Sequence, residues 1–357
     1  MLAVQLTAWG AEPELREIPT PRPRGEELLV RVTAAGLCRS DLHVMDAPAG
    51  SFDYSLPLTL GHEVAGTVVD AGPAADRGWL GEHVVVHGIW GCGGCRNCLR
   101  GRENYCLRLR PRDGRGAPIG NGLGYPGGLA EAVIVPAARF LVRSAGVDPV
   151  VCAPLADAGL TAYHAVREHR DLLDAQSVCV VIGVGGLGHL ALQVLRDLGA
   201  GRIVAVDTRS DARDMAAELG AGAVFGDIDS AASALGEGAD LILDFAGAPD
   251  TVAPAAAALA PGGRLSVVGS AGGRLEAGKD VGLAAGWGIT APFWGPRADL
   301  AAVVDMARRG ALHVTAQTYP LTAAVEIYRQ LRSGGITGRA VLVPPAVNGT
   351  NRPAADG

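Results

Sequence analysis

The chain has 357 residues, which suits two domains or one domain inserted into another. Hydrophobic residues make up 48% of it and charged residues 19%, as in a globular protein, and the net charge of −6 argues against nucleic-acid or anionic-membrane partners. No stretch approaches the roughly 20 apolar residues of a membrane span, and the first residues lack the pattern of a signal peptide. We therefore expect a cytoplasmic protein.

The first 150 residues are predicted to be rich in β-strands. Short, valine-rich runs punctuated by glycine occur at ELLVRVTAAG, HEVAGTVVDAG and EHVVVHGIW. The stretch 91–128 instead combines cysteine, glycine, asparagine and arginine with little periodicity. This composition indicates a lobe or loop that needs an internal crosslink.

From Val178 onward, predicted strands and helices alternate. SVCVVIGVGGLGHLALQVLRDLG predicts a strand, a glycine turn and a helix, GRIVAVD and SDARDMAAELGA repeat the pattern, and ADLILDFAG and GGRLSVVG add strands. Such alternation is typical of βαβ units in a parallel sheet. After Trp294 we expect a helix, a strand, a helix and a final strand, GRAVLVP, with a disordered tail over 346–357.

The glycine turn carries a dinucleotide-binding pattern. Its backbone N–H groups and the following helix dipole favour a pyrophosphate. Asp207 ends the next strand, where a carboxylate binds the adenosine ribose hydroxyls and repels a 2′-phosphate. We expect NAD rather than NADP, with Arg209 and Arg213 able to soften that preference. The predicted cofactor motif consists of Gly183, Gly185, Gly186, Leu187 and Gly188.

Four cysteines lie close together at Cys92, Cys95, Cys98 and Cys106. In a reducing compartment such clustering favours a metal over disulfides. Four thiolates close a tetrahedral zinc site, which is structural because no position stays open. The ferredoxin spacing for an iron–sulfur cluster differs, since it ends in a closer cysteine followed by proline. A nucleic-acid-binding zinc ribbon fits the nearby arginines but not the acidic chain or the lack of interleaved aromatics.

A second group of possible metal ligands lies in GLCRSDLH, at 36–43, and GHE, at 61–63. Cysteine, histidine and an acid are plausible ligands for a second metal. Cys38 could equally be a buried apolar residue, and His62 a core histidine. Spacing alone leaves both interpretations open.

Several stretches, in the same order, resemble the zinc-containing medium-chain dehydrogenase/reductase family, the zinc alcohol dehydrogenases. The likeness is strongest to bacterial NAD-dependent secondary alcohol dehydrogenases of the Rhodococcus type. It runs from about Val4 to Val343. The stretches are TAAGLCRSDLHVMD, LPLTLGHEVAG, GCGGCRNCLRGRENYC, APLADAGLTAYHA, VVIGVGGLGHLALQ and PFWG.

The resemblance implies an α/β protein of two domains. A GroES-like β-barrel catalytic domain would comprise 1–154 and 295–345, with a structural-zinc lobe at 91–110. A Rossmann domain, a doubly wound parallel sheet that binds NAD, would comprise 155–294. The active site would lie in the cleft between them, and the chain would form a homo-oligomer, either a tetramer or a dimer.

The resemblance also implies a catalytic zinc site. Cys38, His62 and Asp157 match its ligands, and Glu63 matches a carboxylate that approaches the metal transiently. Asp157 stands where many members carry cysteine, and an oxygen ligand holds zinc less firmly than a thiolate. Asp41 matches an acid that orients the ligand histidine. Of the remaining cysteines, Cys152 is out of register with the ligands and Cys179 lies in a core strand.

Other matched positions concern the proton, the cofactor and the substrate. Ser40 and His43 match a proton route, in which His43 adds rate without being essential. The cofactor positions outside the glycine turn are Arg39, Val268, Ser270 and Arg339. The pocket positions are Phe52, Tyr54, Leu123, Phe293 and Trp294, large apolar groups that suit hydrophobic alcohols. The segment 108–122 departs from these relatives by a short insertion.

These matches imply reversible hydride transfer between NAD and a small or medium hydrophobic alcohol or ketone, and the Rhodococcus-type resemblance implies a secondary alcohol. Two zinc ions per subunit would serve it, one catalytic and one structural. One alternative is a biosynthetic tailoring reductase of the same fold that acts on an aldehyde, enone or imine. The other is a non-catalytic NAD-binding homologue, against which the full ligand set argues.

Overall fold

A computed structural model describes residues 1–111 and 114–345. The predicted tail at 346–357 lies outside the described residues. The strands are β1 (Leu2–Leu6), β2 (Glu14–Glu17), β3 (Leu28–Leu37), β4 (Leu58–Thr59), β5 (Glu63–Ala71), β6 (His83–Val86), β7 (Gly120–Asn121), β8 (Gly124–Tyr125), β9 (Ala132–Val135), β10 (Leu141–Arg143), β11 (Val178–Ile182), β12 (Arg202–Val206), β13 (Ala223–Phe225), β14 (Ala239–Asp244), β15 (Leu259–Val267), β16 (Gly288–Thr290), β17 (Ala316–Pro320) and β18 (Arg339–Val343).

Helices connect most of these strands. They are α1 (Arg39–Met45), α2 (Arg96–Leu99), α3 (Pro149–Pro154), α4 (Leu160–Arg167), α5 (Gly188–Asp197), α6 (Ser210–Glu218), α7 (Ile228–Leu235), α8 (Pro249–Ala257), α9 (Arg297–Arg308) and α10 (Ala324–Arg332). A π-helical turn, Leu155–Gly159, joins α3 to α4. Among the described residues, no helix combines the length and apolar character needed to cross a membrane.

Strands from both ends of the chain form a largely antiparallel sheet. Its order is β10-β6-β5-β3-β18-β17, and β9 also pairs with β3. The valine-rich runs predicted as strands are β3, β5 and β6. β18 pairs with β3, opposite β5, so the last described strand joins the sheet that β3 and β5 begin, while β2, β1 and β4 form a separate three-stranded sheet. The final helix, strand, helix and strand predicted after Trp294 are α9, β17, α10 and β18.

The middle of the chain forms a parallel sheet of order β13-β12-β11-β14-β15-β16. β11 lies at its centre, where Val180 pairs with Val204 and Ile242 on its two sides. This strand order is that of a doubly wound dinucleotide-binding fold. The predicted parallel sheet is confirmed. β13, β16, α7 and α8 were not predicted, because the two strands are only three residues long and the two helices are rich in alanine, a weakly apolar residue.

The segment α3, π-helical turn and α4 links the two sheets. α3 packs on β3 and β5, whereas α4 packs on α5 and α9. One hydrophobic cluster contains Leu28 and Val64 of the antiparallel sheet together with Val181 of the parallel sheet. The two sheets therefore share a continuous core, and the boundaries at 154/155 and 294/295 remain our prediction.

Candidate active site

Three side chains with little solvent exposure converge where β3 ends, β5 begins and α3 leads into α4. The Oδ2 atom of Asp157 lies 3.3 Å from Cys38 Sγ and 3.3 Å from His62 Nε2. One ligand atom from each residue lies within 4.8 Å of the other two. The fold thus gathers a sulfur, a nitrogen and an oxygen donor from three distant parts of the chain.

Cys38 occupies the junction between β3 and α1. Its backbone is extended, with φ −126° and ψ 151°, so it ends the strand and caps the helix. The Asp41 carboxylate accepts a hydrogen bond from the Cys38 N–H at 3.1 Å. Ser40 Oγ lies 3.6 Å from Cys38 Sγ, and His43 is exposed about one turn further along α1. The polar side chains of Ser40 and His43 on α1 therefore lead from the buried Cys38 thiol to solvent.

Asp157 lies in the π-helical turn. Pro154, the last residue of α3, has no N–H to donate and interrupts the regular helical hydrogen bonding. Single π-helical turns inside helices are frequent at functional sites. The Thr161 hydroxyl donates to Asp157 Oδ1 at 3.0 Å. Oδ2 is therefore left to face Cys38 and His62.

His62 is held from its far side by a carboxylate. Its Nδ1 atom lies 3.1 Å from Asp41 Oδ1, and Asp41 Oδ2 accepts a hydrogen bond from the Tyr328 hydroxyl at 2.9 Å. An acid behind a metal-binding histidine fixes the orientation of the ring. Tyr328 belongs to α10 and lies 287 residues from Asp41, so no local sequence pattern could have identified it.

The charges around the three donors favour a cation between them. Burial tends to raise the pKa of Asp157, but His62 and Arg339 hold that pKa below its usual value. Burial tends to lower the pKa of His62, but the carboxylates of Asp41 and Asp157 raise it well above its usual value. Positive charge is therefore stabilised here, either as a proton on the imidazole or as a metal ion.

The donors fit a zinc ion. Tetrahedral zinc with bonds of about 2.0–2.3 Å places its ligand atoms roughly 3.3–3.8 Å apart, which matches the two 3.3 Å separations at Asp157 Oδ2. His62 Nε2 is buried and makes no aligned hydrogen bond within the described part of the chain. Three protein ligands are also the usual number for a catalytic zinc, which keeps one position for substrate.

Glu63 follows His62 but lies outside this donor group. Its buried carboxylate pairs with the Arg339 guanidinium, which also donates to the Leu37 carbonyl at 2.9 Å. Burial raises the pKa of Glu63 to about 7, against the lowering effect of Arg339. A side chain at Gly186 would come within 2.7 Å of Arg339 Nη1. Arg339 thus stands between Glu63 and the glycine turn in this structure.

A cleft of about 460 Å³ runs from the glycine turn to Cys38 of the donor group. Gly183 has φ 83°, and a side chain at Gly188 would lie 2.1 Å from the Gly183 carbonyl oxygen, so the turn needs glycine at both positions. Val268 and Ser270 follow β15 outside the lining of this cleft. The lining includes Cys38, Arg39, Gly183, Gly185, Gly186, Leu187, Asp207, Arg209, Phe245, Ile336 and Arg339. Phe245 and Ile336 were missed by the sequence analysis.

Asp207 lies at the carboxyl end of β12, on the rim of the cleft. Its Oδ2 accepts a hydrogen bond from the Val184 N–H at 2.8 Å, which ties the acid to the glycine turn. The Arg209 guanidinium lies 3.3 Å from Oδ1, whereas Arg213 donates to the backbone carbonyls of Asp207 and Thr208. Arg209 therefore partly neutralises the Asp207 carboxylate, which the sequence predicts to bind the adenosine ribose.

The four clustered cysteines form a second donor group. Their sulfur atoms lie 3.5 Å apart for Cys95 and Cys98, 3.9 Å for Cys95 and Cys106, and 4.0 Å for Cys92 and Cys98. Tetrahedral zinc with bonds of about 2.3 Å separates its sulfur ligands by roughly 3.8 Å. All four cysteines are free thiols. The lobe therefore fits a four-thiolate zinc ion.

The predicted pocket residues fall on two walls. Phe52 and Tyr54 stack with ring centroids 4.7 Å apart, and Tyr54 lies close enough to His62 for the imidazole charge to affect its pKa, which burial raises to about 12. The Trp294 ring lies 5.5 Å from the His62 ring. Phe293 is 40% exposed and Leu123 is buried. Trp294 therefore contacts the donor group directly, while Phe293 lies nearer to solvent.

A larger cavity of about 830 Å³ lies beside the cysteine lobe. Its lining includes Trp90, Cys92, Tyr125 and Arg139, and none of the catalytic donor group. We therefore do not assign the reaction to this cavity.

The fold and the smaller cleft define the class of protein. A dinucleotide-type cleft beside a doubly wound sheet, reaching the cysteine of a Cys–His–Asp donor group, is the arrangement of a metal-dependent dehydrogenase.

Comparisons with known proteins agree with this class. Residues 24–145 match the family model of the alcohol dehydrogenase GroES-like domain, and residues 186–308 match that of the zinc-binding dehydrogenases. The chain is 33% identical to the D-arabinose 1-dehydrogenase (NADP(+)) of Saccharolobus solfataricus, covering 92% of this chain and 94% of that protein. It is 31% identical to an NAD-dependent alcohol dehydrogenase of Sulfurisphaera tokodaii, covering 96% and 100%.

Comparison with a solved structure supports the same class of protein. The acetophenone reductase of Geotrichum candidum, in complex with NAD, superposes with a TM-score of 0.82 at 30% identity, covering 96% of each chain. The chain belongs to the zinc-binding medium-chain dehydrogenases, the family of the zinc alcohol dehydrogenases. It is therefore an oxidoreductase that acts on CH–OH donors, with a GroES-like and a Rossmann fold.

Proposed function

We propose that this protein catalyses reversible hydride transfer between NAD and a small or medium hydrophobic secondary alcohol or its ketone. One observation carries the proposal: the cleft that begins at the glycine turn reaches Cys38, which forms a donor group with His62 and Asp157. A cofactor bound along this cleft would point its nicotinamide end toward that donor group.

Cys38, His62 and Asp157 would hold the catalytic zinc. A zinc ion there supplies a Lewis acid that favours ionisation of an alcohol hydroxyl or polarises a carbonyl. Asp41 orients His62, and Thr161 orients Asp157, so both ligands are already positioned by hydrogen bonds or ion pairs. Glu63 would approach the metal only after leaving Arg339.

Ser40 and His43 would carry the substrate proton to solvent. The Ser40 hydroxyl is half-buried beside Cys38, and His43 is exposed further along the same helix. Ser40 Oγ would accept the proton from the substrate hydroxyl while its own hydroxyl proton passes on toward His43, and His43 would release a proton to water. Because His43 is already at the surface, water can replace it, and its loss should slow the reaction without abolishing it.

The cofactor would lie along the cleft. The turn of Gly183, Gly185, Gly186, Leu187 and Gly188 would hold its pyrophosphate, with Arg39 and Arg339 as counter-charges. Asp207 would hold the adenosine ribose and favour NAD. Val268 and Ser270 follow the carboxyl end of β15, the edge at which doubly wound sheets bind their ligands, and would contact the nicotinamide half.

The substrate would lie between the two aromatic walls. Phe52, Tyr54 and Leu123 would form one side, and Phe293 and Trp294 the other. Apolar walls around a polar metal centre favour an apolar alcohol over a sugar. The name of the acetophenone reductase supports an aryl-alkyl ketone as a test substrate.

The chain would bind two zinc ions, work in the cytoplasm and assemble as a homotetramer. A reducing compartment keeps the four lobe thiols available for a metal. The edge strand β16 has a sheet neighbour on one side only among the described residues, and Ile289 on it is 43% exposed. An apolar sheet edge of this kind is a surface that a second copy can cover.

The test is NADH absorbance with primary, secondary and allylic alcohols and with their aldehydes and ketones. Oxidation of secondary alcohols with NAD, lost after chelation and restored by zinc, is the expected result. Parallel assays with NADP measure cofactor preference. If NAD binds but no alcohol or ketone in the panel reacts, the proposed substrate class is wrong and a specialised reductase is indicated.

A further inference from the structure

Trp294 has an unusual backbone. Among the described non-glycine residues, only Trp294 has a positive φ, at 50°. A bulky residue in this region is strained and persists only where its surroundings hold it. The indole is 7% exposed, contacts the His62 ring and leaves no room for a side chain at Gly88, which would lie 2.2 Å from it.

Three polar contacts hold the turn that contains Trp294. Asn104 Nδ2 donates to the Phe293 carbonyl at 2.9 Å, and His87 Nε2 donates to the Gly295 carbonyl at 2.9 Å. The Arg297 N–H donates to Glu103 Oε1 at 2.6 Å. The backbone is therefore fixed immediately before and after the strained residue.

Two of these contacts come from the cysteine lobe. Glu103 and Asn104 lie in the loop between Cys98 and Cys106, so the metal that closes the lobe also sets their position. Asn104 Nδ2 also lies 3.3 Å from His164 Nε2. The lobe therefore extends to the helix that follows the Asp157 turn.

The residues that follow the Trp294 turn are also fixed by hydrogen bonds. His164 Nδ1 donates to Asp299 Oδ2 at 2.8 Å, which leaves the Nε2 lone pair to accept from Asn104, while the Tyr105 hydroxyl donates to Glu168 Oε1 at 3.3 Å. Asp299 lies in the first turn of α9, directly after the Trp294 turn. The hydrogen bonds of Asn104 and His164 are thus mutually consistent.

The third contact comes from the His87 imidazole. Its Nε2–H donates to the Gly295 carbonyl, and burial lowers the pKa of His87. His87 follows β6, which belongs to the antiparallel sheet. The turn is therefore held by the sheet on one side and by the lobe on the other.

We propose that Asn104, Glu103 and His87 are positioning residues that hold Trp294 against His62 and thereby set the size of substrate that the site accepts. The four-cysteine lobe then determines substrate selectivity in addition to stability. This inference rests on the proposed function, since it names what selects the alcohol.

The first test is Asn104→Asp in the zinc-loaded protein. The carboxylate has the same size but cannot donate to the Phe293 carbonyl. We expect the ratio of kcat/KM for 1-phenylethanol to that for 2-propanol to change by about fivefold or more, because pocket changes act on bulky groups first. The KM for NAD and the content of two zinc ions per chain should stay unchanged.

Two substitutions at Glu103 distinguish the loss of positioning from general damage to the fold. Glu103→Gln keeps an acceptor for the Arg297 N–H and should leave the substrate ratio unchanged, whereas Glu103→Leu should change it as Asn104→Asp does. If Asn104→Asp does not fold, this pair tests the same turn. A substrate ratio unchanged in both Asn104→Asp and Glu103→Leu overturns the proposal.

A readout without turnover separates this inference from the proposed function. The chain has five tryptophans, so 5-fluorotryptophan labelling gives a small set of fluorine resonances, and Trp294→Phe identifies the one from Trp294. That resonance should move in Asn104→Asp and Glu103→Leu and stay in place in Glu103→Gln. If no alcohol reacts but the resonance moves, only the proposed function fails. If the resonance stays in place in all variants, the positioning role fails.

Discussion

Asp157 Oδ2 lies 3.3 Å from Cys38 Sγ, although 119 residues separate the two along the chain. The carboxylate takes the place that many related enzymes fill with a thiolate, as the sequence resemblance implies. Oxygen is a harder donor than sulfur, so zinc held by this group is expected to exchange more readily.

The first prediction concerns this ligand. Asp157→Ala should lose one of two zinc ions per chain and lower kcat by about 100-fold or more, because only two protein ligands remain. Asp157→Cys should keep both ions and release the catalytic one more slowly to a chelator. Metal analysis and chelator time courses measure both effects. Two zinc ions and full activity in Asp157→Ala would contradict the assignment.

The second prediction concerns the cysteine lobe. Cys95→Ser should lose the other zinc ion and lower the Tm by about 5 °C or more, because the four thiolates crosslink a lobe that has few helices or strands of its own. Calorimetry and metal analysis provide the readout. Cys152→Ala is the matched control, since Cys152 is buried away from both donor groups and should keep two zinc ions. Loss of zinc from the control variant alone would reverse the assignment.

The third prediction concerns cofactor choice. Arg209 lies 3.3 Å from the Asp207 carboxylate and is 40% exposed, so it is free to turn toward a 2′-phosphate. Arg209→Ala should raise the ratio of kcat/KM for NAD to that for NADP by several-fold, and Asp207→Ser should lower it by about tenfold or more. Arg196→Ala is the control, because Arg196 contacts the Leu219 carbonyl, outside the cleft. An unchanged ratio in Asp207→Ser would remove Asp207 from the ribose site.

The fourth prediction concerns acid stability. His189 Nδ1 donates to the Gly185 carbonyl at 2.8 Å, and burial lowers the pKa of His189 from 6.5 to about 4. Below pH 6.5 the unfolded chain gains a proton that the folded chain does not, so the free energy of unfolding falls until the pH reaches about 4. The slope from this one group approaches 1.4 kcal/mol per pH unit, or roughly 3 kcal/mol over the window.

Urea unfolding between pH 7.5 and 4.5 measures this effect. His189→Asn keeps a donor for Gly185 but has no proton to gain, so its stability should depend less steeply on pH. Some slope should persist, because burial also lowers the pKa of His87 and His169. An identical pH dependence in wild type and His189→Asn would show that His189 contributes nothing to it.

The sequence analysis identified the elements whose signals are local. The glycine turn and the strand before it are contiguous, so their joint pattern predicts both the parallel sheet and the cofactor cleft. The four cysteines span fifteen residues, and their spacing alone favours a closed metal site. Asp157 was identified only through resemblance, because a single carboxylate in an apolar helix has no spacing that indicates a ligand.

Contacts between distant elements could not be predicted. Tyr328 reaches Asp41 across the interface between α10 and α1, and neither helix carries a motif for the contact. The pairing of Arg339 with Glu63 depends on β18 lying beside β3. The sequence of β18 alone does not show which strand it pairs with. The strained backbone of Trp294 lies in a turn that residues 87, 103 and 104 hold, all far away in sequence.

The position of β18 has a consequence for biosynthesis. β3 receives this neighbour only after Val343 has been made and has left the ribosome, although β5 and β9 are available much earlier. Until then one side of β3 is open at residues 35–37, and Arg339, the partner of Glu63, is missing from the floor of the cleft. A nascent chain therefore cannot complete this sheet until β18 has emerged, so the floor of the cleft is among the last parts of the fold to form.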